Sequence, residues 1–219
     1  MTRNGSQETR VVPSTAAAEP GVIHNVPGNY YDKHNSRNPL VRLLMGSFHR
    51  GLLERAALVP HSTVLDVGCG EGRTTRVIQE EVRPGRLVGC DLEASVVADA
   101  ANAVPEACFV TGSVYEMPFA ADEFDLVVAT EVLEHLDDPA QALVELTRVG
   151  RAGVILTVPN EPWWRMGNMA RGQYWGSLGN TPGHVQHWSR RRFASFVEPF
   201  AVSTQVETVG MWNIALLTL

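Results

Sequence analysis

The stretch Val64-Leu-Asp-Val-Gly-Cys-Gly-Glu-Gly72 decides how the rest of this chain is read. An apolar run of strand type, from Thr63 to Val67, breaks into glycines at positions 68, 70 and 72. A helical start follows, Arg73-Thr-Thr-Arg-Val-Ile. Strand, tight glycine loop and helix in that order make a ligand cradle. Glycine reaches φ > 0 and lets a ligand come close to the main chain, and the helix offers unbonded N–H groups in its first turn. The spacing is G-x-G-x-G, not the G-x-G-x-x-G of dinucleotide folds. Asp91 ends the next strand, 19 residues after Gly72, where a carboxylate can accept from both hydroxyls of a ribose. A nucleoside-containing cofactor is expected.

Working outward, strands alternate with helices. Continuous apolar runs at 86–91, 107–111, 124–130 and 153–159 predict buried strands, with helices over 73–83, 93–103 and 139–149 between them. Two further strand-like runs, 202–209 and 212–219, predict an antiparallel hairpin at the sheet edge. This is an α/β pattern: a Rossmann-like, doubly wound, mostly parallel sheet of seven strands. Its ligand should lie outside the carboxyl ends of the strands. Before the glycine loop, Pro39 opens a helix reaching about residue 57, with Leu40, Leu43, Leu44, Phe48 and Leu52 on one face. It reads either as a helix packed on the sheet or as a helical N-terminal lid, with Tyr30 and Tyr31 at its hinge.

The organisation expected is a disordered tail over 1–25, then one domain over 26–219. Within it, 26–60 carries the N-terminal helix. Residues 160–188 form a glycine-rich substrate lid holding Trp163, Trp164, Tyr174 and Trp175. The same tryptophans could pair two copies as a homodimer. A net charge of −6 argues against a general nucleic-acid binder, so DNA is excluded and RNA disfavoured. No apolar run approaches transmembrane length, and no secretory core opens the chain. Cys69, Cys90 and Cys108 sit in or beside strand-like runs, so all three are expected as buried free thiols of a cytoplasmic protein.

A second constellation is Glu131-Val-Leu-Glu134-His135. If helical, the three polar side chains share one face at the mouth of the cleft. Two carboxylates and an imidazole suit a divalent ion; the same residues also suit a helix cap with a solvated acidic face. Thr181-Pro-Gly-His184-Val-Gln-His187-Trp-Ser-Arg offers further imidazoles. The arginines at 190–192 read as a solvated helix start.

Four segments resemble, in order, the motifs of class I S-adenosylmethionine-dependent methyltransferases. They are the glycine loop, Gly89-Cys-Asp-Leu-Glu, Gly112-Ser-Val-Tyr-Glu-Met-Pro-Phe and Phe124-Asp-Leu-Val-Val-Ala-Thr-Glu-Val-Leu-Glu-His. The resemblance implies that Asp66 and Gly68, Gly70 and Gly72 face the methionine part of the donor. It implies that Asp91, with Leu92 beside it, binds the ribose. Ser113 and Val114 belong to the adenine-side loop, with Met117 flanking the base, and Thr130 ends the fourth-motif strand. Ser113 stands where the family often has Asp.

Glu131, Glu134, His135 and His184 also match the Mg²⁺ or Mn²⁺ site of small-RNA 3′-terminal 2′-O-methyltransferases. In those enzymes a His stands four residues before Trp-Ser/Thr-Arg. Ubiquinone-pathway catechol O-methyltransferases share the Glu-x-x-Glu-His string. The resemblance thus implies an O-methyltransferase with a chelated hydroxyl acceptor. A saccharide, such as a partly methylated hexose or mannoside, is expected ahead of a catechol or quinone precursor, or of an RNA 3′ end. His187, with His135 and Glu131, forms the candidate catalytic set, and His187 is the candidate general base. The contrasting reading is a nucleotide-binding module without catalysis.

Overall fold

The computed structural model describes residues 39–161, 163, 164, 169 and 183–219. The 1–25 tail, Tyr30, Tyr31, Tyr174 and Trp175 lie outside the described residues. Seven strands form one sheet in the order β3-β2-β1-β4-β5-β7-β6. They are β1 (Thr63–Val67), β2 (Arg86–Asp91), β3 (Cys108–Thr111), β4 (Phe124–Thr130), β5 (Gly150–Pro159), β6 (Ser203–Val209) and β7 (Trp212–Thr218). The first five pair in parallel, and β7 pairs antiparallel with both β5 and β6. The expected edge hairpin is present, with β6 outermost.

Alternate side chains of the apolar strands point to opposite faces. Val64, Leu126, Val128 and Ile155 pack under α1 (Pro39–Ala56), the helix α2 (Arg73–Val77) with its π-helical extension Ile78–Val82, and α3 (Ala94–Ala103). Leu65, Val67, Val127, Ala129 and Leu156 pack under α4 (Pro139–Val149) and α5 (Arg190–Val197). Burial on both faces is why these strands read as unbroken apolar runs. Asp138 caps α4 by accepting from the Gln141 N–H at 3.0 Å, and Pro139 sits in its first turn. Ser189 Oγ caps α5 by accepting from the Arg192 N–H. Among the described residues, no helix is long and apolar enough to cross a membrane.

Two expectations, on Leu43 and on Cys108, are corrected. The buried stripe of α1 is Met45, Phe48, Leu52 and Ala56, with Val41 and Leu44 beside it. Leu43 points outward, 67% exposed, because it falls off that i, i+3, i+7, i+11 row. Phe48 packs on Trp212 of β7 at 4.9 Å between ring centroids, so α1 is part of the core. Cys108 is exposed, since it opens β3 at the sheet edge, whereas Cys69 and Cys90 are buried.

Candidate functional site

In the strand order, β1 lies between β2 and β4, so chain connections leave it in opposite directions. This is the switch point at which α/β sheets bind ligands. The glycine loop leaves β1 there, and the turn Glu131–His135 leaves β4 beside it. Gly68, Gly70 and Gly72 all have positive φ, at 67°, 53° and 78°. A Cβ on Gly70 would meet nothing within 4 Å, whereas one on Gly68 would lie 2.4 Å from Val132 Cγ2. Gly70 thus leaves open space in front of the loop, and Gly68 lets the loop press against the second constellation.

Asp91 shapes this cradle. Its Oδ2 accepts from the Gly70 N–H at 2.9 Å and its Oδ1 from the Glu93 N–H at 3.2 Å. Leu92, next to it, is exposed and offers an apolar surface at the rim. Asp66 is fully buried beneath the loop, where its Oδ2 accepts from Thr75 Oγ1 at 2.6 Å. Burial pushes its carboxyl up to about 7, a shift opposed by the Thr75 hydrogen bond and reinforced by the charge of Asp91. The Cys69 thiol inside the loop is likewise pushed up by burial and is a poor nucleophile. Ser113 Oγ accepts from the Tyr115 N–H, and Thr130 Oγ1 lies 3.3 Å from Thr74 Oγ1. Val114 is partly buried against the α4 face of the core. Met117, next along the same loop, is buried in that same core.

The turn after β4 is not the α-helix expected. Glu131 adopts a left-handed backbone, φ 55°, and only Leu133–His135 forms a short 3-10 turn. The Glu131 N–H donates to both the carbonyl and Oγ1 of Thr157 on β5, at 3.1 Å each. Its Oε1 accepts from Trp212 Nε1 at 3.0 Å. The shared helical face is therefore replaced by a different grouping.

Glu134, His135 and His184 each offer one ligand atom, and these atoms all lie within 4.8 Å of one another. Glu131 stands outside that group. The three belong to two segments stitched together. The Val185 and Gln186 N–H groups donate to the Glu134 carbonyl at 2.9 and 3.1 Å, and Gln186 Nε2 donates to the Leu136 carbonyl. His135 Nδ1 lies 2.9 Å from the Gly183 carbonyl. A carbonyl only accepts, so Nδ1 donates in this contact, the arrangement that leaves Nε2 for the metal in metal-ligating histidines. Trp164 stacks on His184 at 6.2 Å and meets Trp212 edge-on at 5.8 Å. Glu134 and His184 are buried, and a carboxylate with two imidazoles suits a divalent cation. The residues present fit such an ion.

His187 stands outside the three. Its Nδ1 lies 3.9 Å from Glu161 Oε1, and the Glu161 N–H donates to the Trp188 carbonyl. Trp163 is 59% exposed while Trp164 is buried, so only the second ring of that pair packs on the body. Sequence reasoning did not find Thr75, Thr157, Trp164 as the ring on His184, Glu161 or Trp212. Each acts through a contact distant in sequence; Trp212 is 81 residues from Glu131.

Residues 65–158 match the family model described as a methyltransferase domain. An uncharacterized methyltransferase of Schizosaccharomyces pombe is 36% identical over 101 residues, 41% of this chain and 36% of that protein. A trans-aconitate 2-methyltransferase of Azoarcus is 35% identical over 109 residues, covering 50% of this chain and 43% of the relative. The chain thus spans less than half the length of these curated relatives. In fold, the chain is similar to the methyltransferase domain of a bacterial Hen1, CtHen1-CN. The TM-score is 0.64 at 19% identity, over 80% of this chain and all of that one. The matched segment takes in the glycine loop at one end and the Glu131–His135 turn, and it covers less than half of this chain.

Proposed function

We propose that this chain transfers the methyl group of S-adenosylmethionine to a hydroxyl oxygen of a small acceptor held at Glu134, His135 and His184. One observation carries the choice of oxygen: two imidazoles and a carboxylate gather within 4.8 Å beside the donor loop. An amine or a thiolate is already a good nucleophile and needs that device less, whereas an alcohol is a poor nucleophile near neutral pH. A divalent cation such as Mg²⁺ or Mn²⁺, when bound, lowers the pKa of a coordinated hydroxyl. Glu134, His135 and His184 would hold it, and we infer a chelating acceptor, a saccharide diol ahead of a catechol.

The protein's own residues do the rest. Asp91 accepts from the ribose and fixes the loop. The open face of Gly70 admits the donor. Alignment of acceptor oxygen, methyl carbon and sulfur for in-line displacement supplies roughly 7–11 kcal/mol of barrier lowering. The new C–O bond forms as the S–C bond breaks, leaving S-adenosylhomocysteine. His187 Nε2 takes the hydroxyl proton, with Glu161 behind Nδ1.

The test is methyl transfer from labelled S-adenosylmethionine to sugars, catechols and RNA ends, with and without EDTA. Transfer to a diol should stop in EDTA and return with Mg²⁺ or Mn²⁺. Full activity in EDTA would remove the cation from the reading and leave a metal-free methyltransferase.

A further inference from the structure

The arginines at the start of α5 stand at the wrong end of their helix. Arg190, Arg191 and Arg192 occupy its first turn, with no acidic residue among them. Cations there oppose the helix dipole, which favours anions at that end. Arg190 Nε is used structurally, donating to the Val206 carbonyl on β6. Arg191 and Arg192 are different: among the described residues neither side chain makes an ion pair or hydrogen bond.

Both line a cavity of about 590 Å³ together with Gln186, Trp188, Ser195 and Phe196. Its floor is aromatic, with Trp188 and Phe196 at 4.8 Å between centroids. Trp188 is more than nine-tenths buried, and its Nε1 has no acceptor among the described residues. The acids nearest in sequence to Pro139, at the groove's other wall, are Asp137 and Asp138, and Asp138 Oδ1 is committed to capping α4. The groove also joins the site already described. Gln186, on its wall, donates its backbone N–H to the Glu134 carbonyl and its side-chain amide to Leu136.

We propose that Arg191 and Arg192 form a subsite for a phosphate group, the anionic end of a phosphorylated small acceptor. Two guanidinium forks match phosphate oxygens bidentately, the helix N-terminus adds to them, and the aromatic floor takes the apolar face of a sugar ring. The placing of the acceptor's hydroxyl at Glu134, His135 and His184 rests on the methyl-transfer reading above; the phosphate subsite does not.

The test is calorimetric titration of the full chain with glucose 6-phosphate, using glucose, inorganic phosphate and a short single-stranded RNA as comparisons. Glucose 6-phosphate should bind saturably, at least tenfold tighter than glucose. The R191Q/R192Q double variant should lose at least tenfold in that affinity at an unchanged melting temperature, and R191K/R192K should lose less. S-adenosylhomocysteine affinity should stay at the wild-type value in both. Equal affinities of wild type and R191Q/R192Q for glucose 6-phosphate would overturn the subsite. So would tight binding of the RNA alone, which would assign the groove to a nucleic acid. Phosphate binding that needs Arg191 and Arg192 in a chain that fails to bind S-adenosylhomocysteine would sink the methyl-donor reading and support the subsite.

Discussion

Asp66 is a carboxylate that the fold keeps from water. Its pKa rises to about 7 in the native state, against about 4 in an unfolded chain. Between those values the native state holds a proton that the unfolded chain has released. The stability this group contributes is complete below about pH 4 and is lost as pH rises through about 7. At ~1.4 kcal/mol per unit, the loss reaches a few kcal/mol at most. The Asp66→Asn variant keeps an acceptor for Thr75 and has no charge to bury. Its melting temperature should fall less than that of the wild type between pH 5 and pH 8; parallel curves in differential scanning calorimetry would show that Asp66 does not titrate there. At the second constellation, Glu134→Gln and His184→Gln should each raise the Mg²⁺ or Mn²⁺ concentration giving half-maximal transfer by tenfold or more. A variant with the wild-type metal response takes its residue out of the site. The grouping of 134, 135 and 184 was legible in the sequence because a carboxylate and imidazoles are the types a divalent cation selects. The backbone of Glu131 was not. Its left-handed conformation is fixed by Thr157 and Trp212, on strands far along the chain, and no local pattern announces it.

Among the elements, α1 ties the core to the second constellation. It docks on the sheet through a stripe centred on Phe48, which lies against Trp212, the same ring that holds Glu131 and meets Trp164. Phe48→Ala should cost about 3–5 kcal/mol in urea denaturation, and it should also weaken the metal response, because it loosens the wall behind His184. A stability loss with an unaltered metal response would mean that the aromatic chain only packs. Asp138→Ala, by contrast, removes a cap and should cost about 1 kcal/mol with donor binding intact. Helix starts were readable because caps and first-turn prolines are local signals: Pro39, Asp138 with Pro139, and Ser189 all open helices. Which face of α1 turns inward was harder to read. Leu40, Leu43 and Leu44 allow two overlapping stripes, and contact with β7 decides between them.

At the scale of the whole molecule, the proposed donor site joins elements from across the domain, so a donor bound there would stabilise the fold as a unit. With S-adenosylhomocysteine at 100 times its Kd, the gain is about 2.7 kcal/mol, or about 5–10 °C in Tm for a chain of this size. NAD should give no shift; the reverse pattern would overturn the donor assignment. The α/β class and the edge hairpin were visible in the spacing of apolar runs, since two-sided burial leaves that mark on each strand. The order β5-β7-β6 has a consequence for synthesis on the ribosome. Strand β7 is made after both neighbours yet lies between them, and all seven of its residues pair with each. Until Trp212–Thr218 emerges, β6 has no strand to join and the outer edge of β5 stands open, a ready template for another chain. Nascent chains stalled before β7 leaves the exit tunnel should therefore be cut by protease within β6 and be held by chaperones, and both should cease once β7 is released.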